Sequence, residues 1–146
     1  KAEADVSSSP RGTDVVDVPK GLTVIVVEDE ATNRRILERM LKRLGCKFVS
    51  YEDGDEVDAE AYGRADAAAS PGRPDVFLLD IVMKRQGGDV LCRRLRDAGV
   101  THAKVVATTA NTSTEEIRRY IHTCGFDSVL NKPFNARMLS QLLADA

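Results

Sequence analysis

Three observations predict a doubly wound α/β domain with a five-stranded parallel sheet in (βα)5 alternation. First, Leu22-Thr23-Val24-Ile25-Val26-Val27 and Val76-Phe77-Leu78-Leu79 are strand-length and apolar with little alternation, as strands covered on both faces are. Second, strand-like and helix-like stretches alternate along the whole chain, which leads to a parallel sheet with helices on both faces. Third, the two apolar strands end on acids, Glu28-Asp29-Glu30 and Asp80. Carboxylates at the carboxyl ends of parallel strands lie where open α/β sheets keep their ligand sites.

The elements follow in order. Residues 1–20 contain Ser7-Ser8-Ser9-Pro10-Arg11-Gly12, show no period, and read as a flexible N-terminal linker before a domain over 21–146. Asp14 to Val18 have some pairing capacity at a sheet edge, but Pro19 and Gly21 argue for a mobile lead-in. The first strand covers 22–27. Thr32 or Asn33 caps a helix with Ile36, Leu37, Met40, Leu41 and Leu44 on one face, and Gly45 stops it. A second strand covers 46–51. Asp53-Gly54 makes a turn into a polar, Ala-rich helix over 55–69, and 65–74 is low in complexity. After the third strand and Asp80 come a loop over 81–88 and a helix over 89–98. The fourth strand covers 104–108. Thr112 and Glu115 are spaced as a capping box for a helix over 112–123, which Gly125 ends. The fifth strand covers 127–130. Asn135 caps a last helix that turns Leu139, Leu142 and Leu143 inward.

The bulk numbers fit one domain with a real core. The chain has 146 residues, is 42% hydrophobic and 30% charged, and carries a formal net charge of −2. That balance gives no field for nucleic acid or anionic membrane, so neither is expected as a partner of this fragment. No apolar run is long enough for a transmembrane helix. A chain opening on Lys1, without a recognisable secretory leader, is expected to be part of something longer. Cys46, Cys92 and Cys124 lack CxxC spacing and sit in or beside apolar segments; they read as buried reduced thiols of a cytoplasmic protein.

Four strand ends supply the polar groups: Glu28 and Asp29, then Asp80, then Thr108 and Thr109, then Lys132-Pro133. Asp29 and Asp80 suit a water-rich Mg²⁺ site with one or two protein carboxylates. A Lys beside such a carboxylate keeps it ionised and offsets the charge of an incoming phosphoryl group. A Thr hydroxyl can donate to a phosphoryl oxygen, and an Asp carboxylate can itself take the group as an acyl phosphate.

In this combination the chain resembles the receiver domain of two-component response regulators, over about Gly21 to Ala146. The residues that carry the resemblance are Glu28-Asp29, Asp80, Thr109-Ala110 and Lys132-Pro133-Phe134. Asn33, in its place after the acidic pair, is most like receivers of hybrid histidine kinases. The resemblance implies a flavodoxin-like receiver fold with strand order 2-1-3-4-5. It implies Asp80 as phosphoacceptor, Mg²⁺ on Asp29, Asp80 and the Val82 carbonyl, and Glu28 reaching the metal through water. Thr109 and Lys132 would bind the phosphoryl group, with a cis bond before Pro133; Val82 and Asn111 would overhang the pocket mouth and set the phosphoryl lifetime. It further implies a phosphorelay role: a histidine kinase or histidine phosphotransfer domain as partner, no enzyme activity beyond self-catalysed phosphotransfer and slow autodephosphorylation, and dimerisation through the helix 4–strand 5–helix 5 face. The setting would be cytoplasmic, as the inner part of a membrane-associated sensor or excised from a longer kinase.

Three departures bear on output. Lys84 and Arg85 stand where the family commonly has a Pro and its neighbour, and one of them is expected to relieve repulsion among the pocket acids. Val129 occupies the aromatic switch position, and the segment over 65–74 is longer than usual. The basic stripe Arg34, Arg35, Arg39, Lys42 and Arg43 is either a solvated face or a dock for an acidic or phosphohistidine-bearing partner. Rival functions fit less well. No phosphate loop of the flavodoxin type follows the first strand, Val82 replaces the second acid of an Asp-nucleophile phosphatase, and GxxxxGK[ST] is missing. A degenerate receiver that binds partners without phosphorylation remains the alternative.

Overall fold

The strands form because β-branched and aromatic runs bury both faces when helices cover the sheet on each side. The computed structural model describes residues 15–64, 73–110 and 113–146. In chain order the elements are β1 (Thr23–Val27), α1 (Ala31–Arg43), β2 (Lys47–Tyr51), a 3₁₀ turn (Gly54–Glu56) and α2 (Ala59–Arg64). There follow β3 (Val76–Asp80), α3 (Gly88–Asp97), β4 (Lys104–Thr109), α4 (Thr114–Arg118), a π-helical turn (Arg119–Cys124), β5 (Ser128–Asn131) and α5 (Ala136–Ala144). All five strands are parallel, in the order β2-β1-β3-β4-β5. The flavodoxin-like arrangement is therefore the one the sequence predicts.

Alternate strand residues face opposite layers, as the two-residue period of a strand requires. Ile25, Val27, Phe77, Leu79, Val105 and Ala107 meet Leu91 and Leu95 of α3, Tyr62, Tyr120 and Phe126. Val24, Val26, Val76, Leu78 and Val106 meet Leu37 and Leu41 of α1 and Leu139 and Leu143 of α5. Each such Leu, Ile or Phe contributes roughly 1.5–3 kcal/mol by leaving water. Cys46, Cys92 and Cys124 are free and buried.

Several local readings change. Glu30 caps α1, its carboxylate accepting the Asn33 amide at 3.0 Å, so neither Thr32 nor Asn33 is the cap. A carboxylate also suits the positive end of the helix. Leu37, Leu41 and Leu44 are buried, but Ile36 is 45% exposed on the wall of a cleft shared with Pro133 and Phe134. The helix expected over 55–69 is a 3₁₀ turn and a short α2, and residues 65–72, most of the long segment, lie outside the described residues. Ser113, not Thr112, caps α4 by accepting the Glu116 amide at 3.3 Å; Thr112 lies outside the described residues. From Arg119 the helix widens to π-type bonding until Gly125 ends it in the left-handed region at φ 93°. Leu142 is half-buried, whereas Leu139 and Leu143 are fully so. Ahead of β1, Val18 is buried in the α1/α5 layer and the Val16 amide donates to Ser140 Oγ at 3.0 Å. Packing thus begins before residue 21.

Candidate functional site

Strand register assembles the site. Val27 pairs with Leu79, so the next residues, Glu28 and Asp29 after β1 and Asp80 ending β3, emerge side by side. Asp80 pairs with Thr108, and Thr109 pairs with Asn131, the residue before Lys132. Main-chain bonds continue the ladder into the loops: Ile81 donates to the Thr108 carbonyl at 3.1 Å and Lys132 to that of Thr109 at 2.9 Å. Every strand-end group singled out above is therefore brought to one edge of the sheet.

Lys132 Nζ lies 3.0 Å from Glu28 Oε1 and 3.1 Å from Asp80 Oδ2. Glu28 Oε2 accepts the Glu30 amide at 3.1 Å. Oxygens of Glu28, Asp29 and Asp80 all lie within 4.8 Å of one another. Glu28 and Asp80 are buried and Asp29 half-buried. Burial, and then the Glu28 carboxylate, push the Asp80 carboxyl up to about 6, while Lys132 works against both. Burial alone would lower the Lys132 ammonium, but its bond to Glu28 and the charge of Asp80 outweigh this and raise it. Three carboxylates facing one ammonium leave negative charge uncompensated in a half-buried pocket. Such a set fits a small hard cation with oxygen ligands, and Mg²⁺ above others that demand nitrogen or sulfur.

The loop leaving β3 wraps this pocket. Val82 is 77% exposed, with its amide 3.3 Å from Asp80 Oδ1, and the Lys84 amide donates to Asp29 Oδ2 at 3.1 Å. Gly88 must be glycine because a Cβ there would collide with the Asp80 carbonyl oxygen. The Arg85 side chain points away from the pocket, to Asp55 Oδ2 at 2.7 Å and Glu56 Oε2 at 2.9 Å. The expected relief of pocket repulsion by Arg85 is thus not what its side chain does. The Lys132–Pro133 bond is cis, Val129 is half-buried against the α3 side of the core, and Asn111 lies outside the described residues. Arg34 donates to the Glu28 carbonyl at 2.8 Å, whereas Arg35 and Arg39 are exposed. Beside the pocket a cleft of about 390 Å³ runs between α1 and the Pro133-Phe134 turn, with Asn33, Ile36 and Met40 on one wall.

One participant escaped the sequence reading. Asp53, read as a turn residue, is buried and accepts the amides of Gly54, Arg85 and Gln86 at 2.8, 3.0 and 2.7 Å. No spacing rule signals it, because it acts across the fold rather than along the chain.

A 2-1-3-4-5 sheet whose carboxyl edge holds an acid cluster, a Thr and a Lys before a cis-proline defines a domain of the receiver type. The family model of the response regulator receiver domain matches residues 24–144, and the chain belongs to that family. It is similar to sensor histidine kinase RcsC of Salmonella typhimurium, 34% identical over 143 residues, which cover 98% of this chain and 14% of that protein. Two-component response regulator 24 of Arabidopsis thaliana is 28% identical over 122 residues, 84% of this chain and 81% of that protein. The chain thus spans a small part of the RcsC proteins it matches. Among solved structures, the receiver domain of sensor histidine kinase PA1611 from Pseudomonas aeruginosa has a magnesium ion coordinated in its active site cleft. It matches with TM-score 0.71 and 25% identity over 86% of this chain and 96% of that one. The receiver domain of Ssk1, crystallised with the histidine phosphotransfer protein Ypd1 of Saccharomyces cerevisiae, matches in fold with TM-score 0.73 and 22% identity, over 88% and 89% of the two chains. No helix among the described residues is long and apolar enough to cross a membrane.

Proposed function

We propose that this receiver domain takes a phosphoryl group from a phosphohistidine onto Asp80 in a Mg²⁺-dependent step of a phosphorelay. The observation that carries the reading is Lys132 Nζ bridging Glu28 and Asp80 inside a three-carboxylate cluster. An Asp80 oxygen forms the bond to phosphorus as the bond to the donor's imidazole nitrogen breaks, and that nitrogen keeps the electron pair. Lys132 and Thr109 meet the charge on the transferring group, the first by its ammonium and the second by its hydroxyl. Asp29, Asp80 and the Val82 carbonyl would hold Mg²⁺, with Glu28 reaching it through water. The bound ion supplies positive charge to the phosphoryl oxygens.

Under this reading the domain is a phosphoacceptor that catalyses only its own phosphotransfer and slow dephosphorylation. The donor is a histidine kinase or a histidine phosphotransfer domain, met in the cytoplasm where such kinases find ATP. The docking face is α1 with the Pro133-Phe134 turn. The exposed large apolar side chains among the described residues are Val15, Val16, Ile36, Val82 and Val90. Ile36 and Val82 flank the pocket, and Arg35 and Arg39 give α1 a basic rim for an acidic partner. None of the five lies on α4, β5 or α5, so dimerisation there draws no support from exposed apolar area. The complete set Glu28, Asp29, Asp80, Thr109 and Lys132 leaves the degenerate binding module without a supporting observation. Incubation with Mg²⁺ and acetyl phosphate or a phosphohistidine donor should add one phosphoryl group. Labelling of Asp80→Asn equal to the parent would refute the assignment.

A further inference from the structure

The cleft beside the acid pocket has a volume of about 390 Å³, within the range of sites that take a small molecule. Its floor is the sheet. Leu78 and Val106 face the α1/α5 layer, and the two-residue period of β4 turns Thr108 to the same side. Ile36, Leu37 and Met40 of α1 form one wall, and Pro133 and Phe134 face them. Leu78 is only 1% exposed, so the cleft reaches below the surface rather than lying on it. One group at the bottom is polar. Thr108 is 4% exposed and lines the cleft, and among the described residues its hydroxyl has no hydrogen-bond partner. The oxygen is not sealed off, since the one described side-chain nitrogen or oxygen shut from solvent without a partner is His102 Nε2. It therefore offers a donor and an acceptor to whatever enters.

The rest of the lining sets the kind of molecule. Phe134 and Met40 favour an aromatic ring, one by edge or offset stacking and the other through its sulfur. Lys132 and Glu28 also border the cleft, but they are already paired at 3.0 Å, beside the Asp80 and Asp29 carboxylates. An anion would meet surplus negative charge there, and a cation would lose its water in an apolar recess. We propose that the cleft binds an uncharged aromatic molecule of about two fused rings, with one hydroxyl or carbonyl that bonds to the Thr108 hydroxyl. This site does not require Asp80 to accept a phosphoryl group.

The probe is 2-naphthol, with naphthalene as its hydroxyl-free twin and 2-naphthoate as its charged one. NMR titration of the parent should move the methyl signals of Leu37, Met40 and Leu78 saturably. The affinity for 2-naphthol should exceed that for naphthalene by about fivefold, one neutral hydrogen bond's worth. The carboxylate of 2-naphthoate should bring no gain over naphthalene. Thr108→Val keeps the shape of the floor and removes the hydroxyl. It should bring 2-naphthol down to the affinity of naphthalene and leave naphthalene unchanged. In the parent, no saturable shifts at these methyls, equal affinity for 2-naphthol and naphthalene, or tightest binding of 2-naphthoate each overturn the inference without any variant. A Thr108→Val protein that still prefers 2-naphthol overturns it too. Beryllofluoride with Mg²⁺, a phosphoryl mimic, tests the Asp80 reading separately in the same protein, so either reading can fail alone.

Discussion

The Arg85 amide donates to the buried Asp53 carboxylate at 3.0 Å, which ties the loop leaving β3 to the turn leaving β2. Gln86 and Gly54 complete a three-amide cradle. Burial would raise the Asp53 carboxyl, but these three amides outweigh it and hold it below the usual carboxylate range. The cradle sits on the loop whose Lys84 amide reaches Asp29. Asp53→Ala should therefore cost about 2–4 kcal/mol, because buried amides lose a charged acceptor, and should weaken Mg²⁺ binding as well. Asp53→Asn should fall between. Urea unfolding and Mg²⁺ titration check it; a stability loss with unaltered Mg²⁺ affinity would confine Asp53 to the fold.

Asp80→Asn should stabilise the metal-free protein. The folded state binds a proton at Asp80 more readily than the unfolded chain does, since its carboxyl is raised from 3.8 to about 6. Stability from this group is present below pH 4 and is lost as pH rises through about 6. The Asn variant escapes that loss, so its advantage should grow between pH 4 and 6 and then level off, at on the order of 2 kcal/mol. Melting temperatures of both proteins across pH 4 to 8, with a chelator present, test the shape of the difference.

Lys132→Met should separate two properties. Its ammonium occupies the space between Glu28 and Asp80 in the metal-free pocket, so removing it leaves the acids freer to hold a cation. Mg²⁺ should bind at least as tightly as in the parent. Phosphoryl uptake should nonetheless fall by roughly one to two orders of magnitude, as a lost electrostatic contact to a transferring group does. Weaker Mg²⁺ binding in the variant would contradict this account.

Arg85→Ala should leave the site alone. Its two ion pairs with Asp55 and Glu56 are exposed, so stability should drop by no more than about 1 kcal/mol. Mg²⁺ affinity at 150 mM salt should match the parent. A clear change would mean that the guanidinium acts on the pocket after all.

Val82→Asn should shorten the life of the phosphoaspartate. The Val82 side chain stands exposed beside Asp80 and offers no hydrogen bond to an attacking water. An orienting amide worth about 1.4 kcal/mol would speed hydrolysis about tenfold. Decay after donor removal measures it; equal lifetimes would remove the argument.

The sheet and its acidic edge were readable because they follow from local signals. Unbroken apolar runs gave β1 and β3, and the acids closing them gave Glu28, Asp29 and Asp80. What escaped depends on distance through space. Glu30 displaced Thr32 and Asn33 as cap because a longer carboxylate from the acidic run reaches the Asn33 amide. Ile36 fits the helical period, but it borders an open cleft rather than packed core, which periodicity cannot tell apart. Periodicity sees neither the π-helical turn nor the role of Asp53, since an extra residue in a helix turn and a cross-loop cradle leave no repeating trace.

Lys132 and Glu28 touch across 104 residues of chain. A half-made domain therefore has no half-made site: until β5 has closed on β4, Asp80 faces Glu28 without its counter-charge. Phosphoryl acceptance then reports on the whole fold at once. On the proposed reading, a chain whose residues around 132 have not yet docked presents Asp80 and Glu28 without Lys132, and a lesion that loosens β5 should impair phosphoryl acceptance before it unfolds the domain.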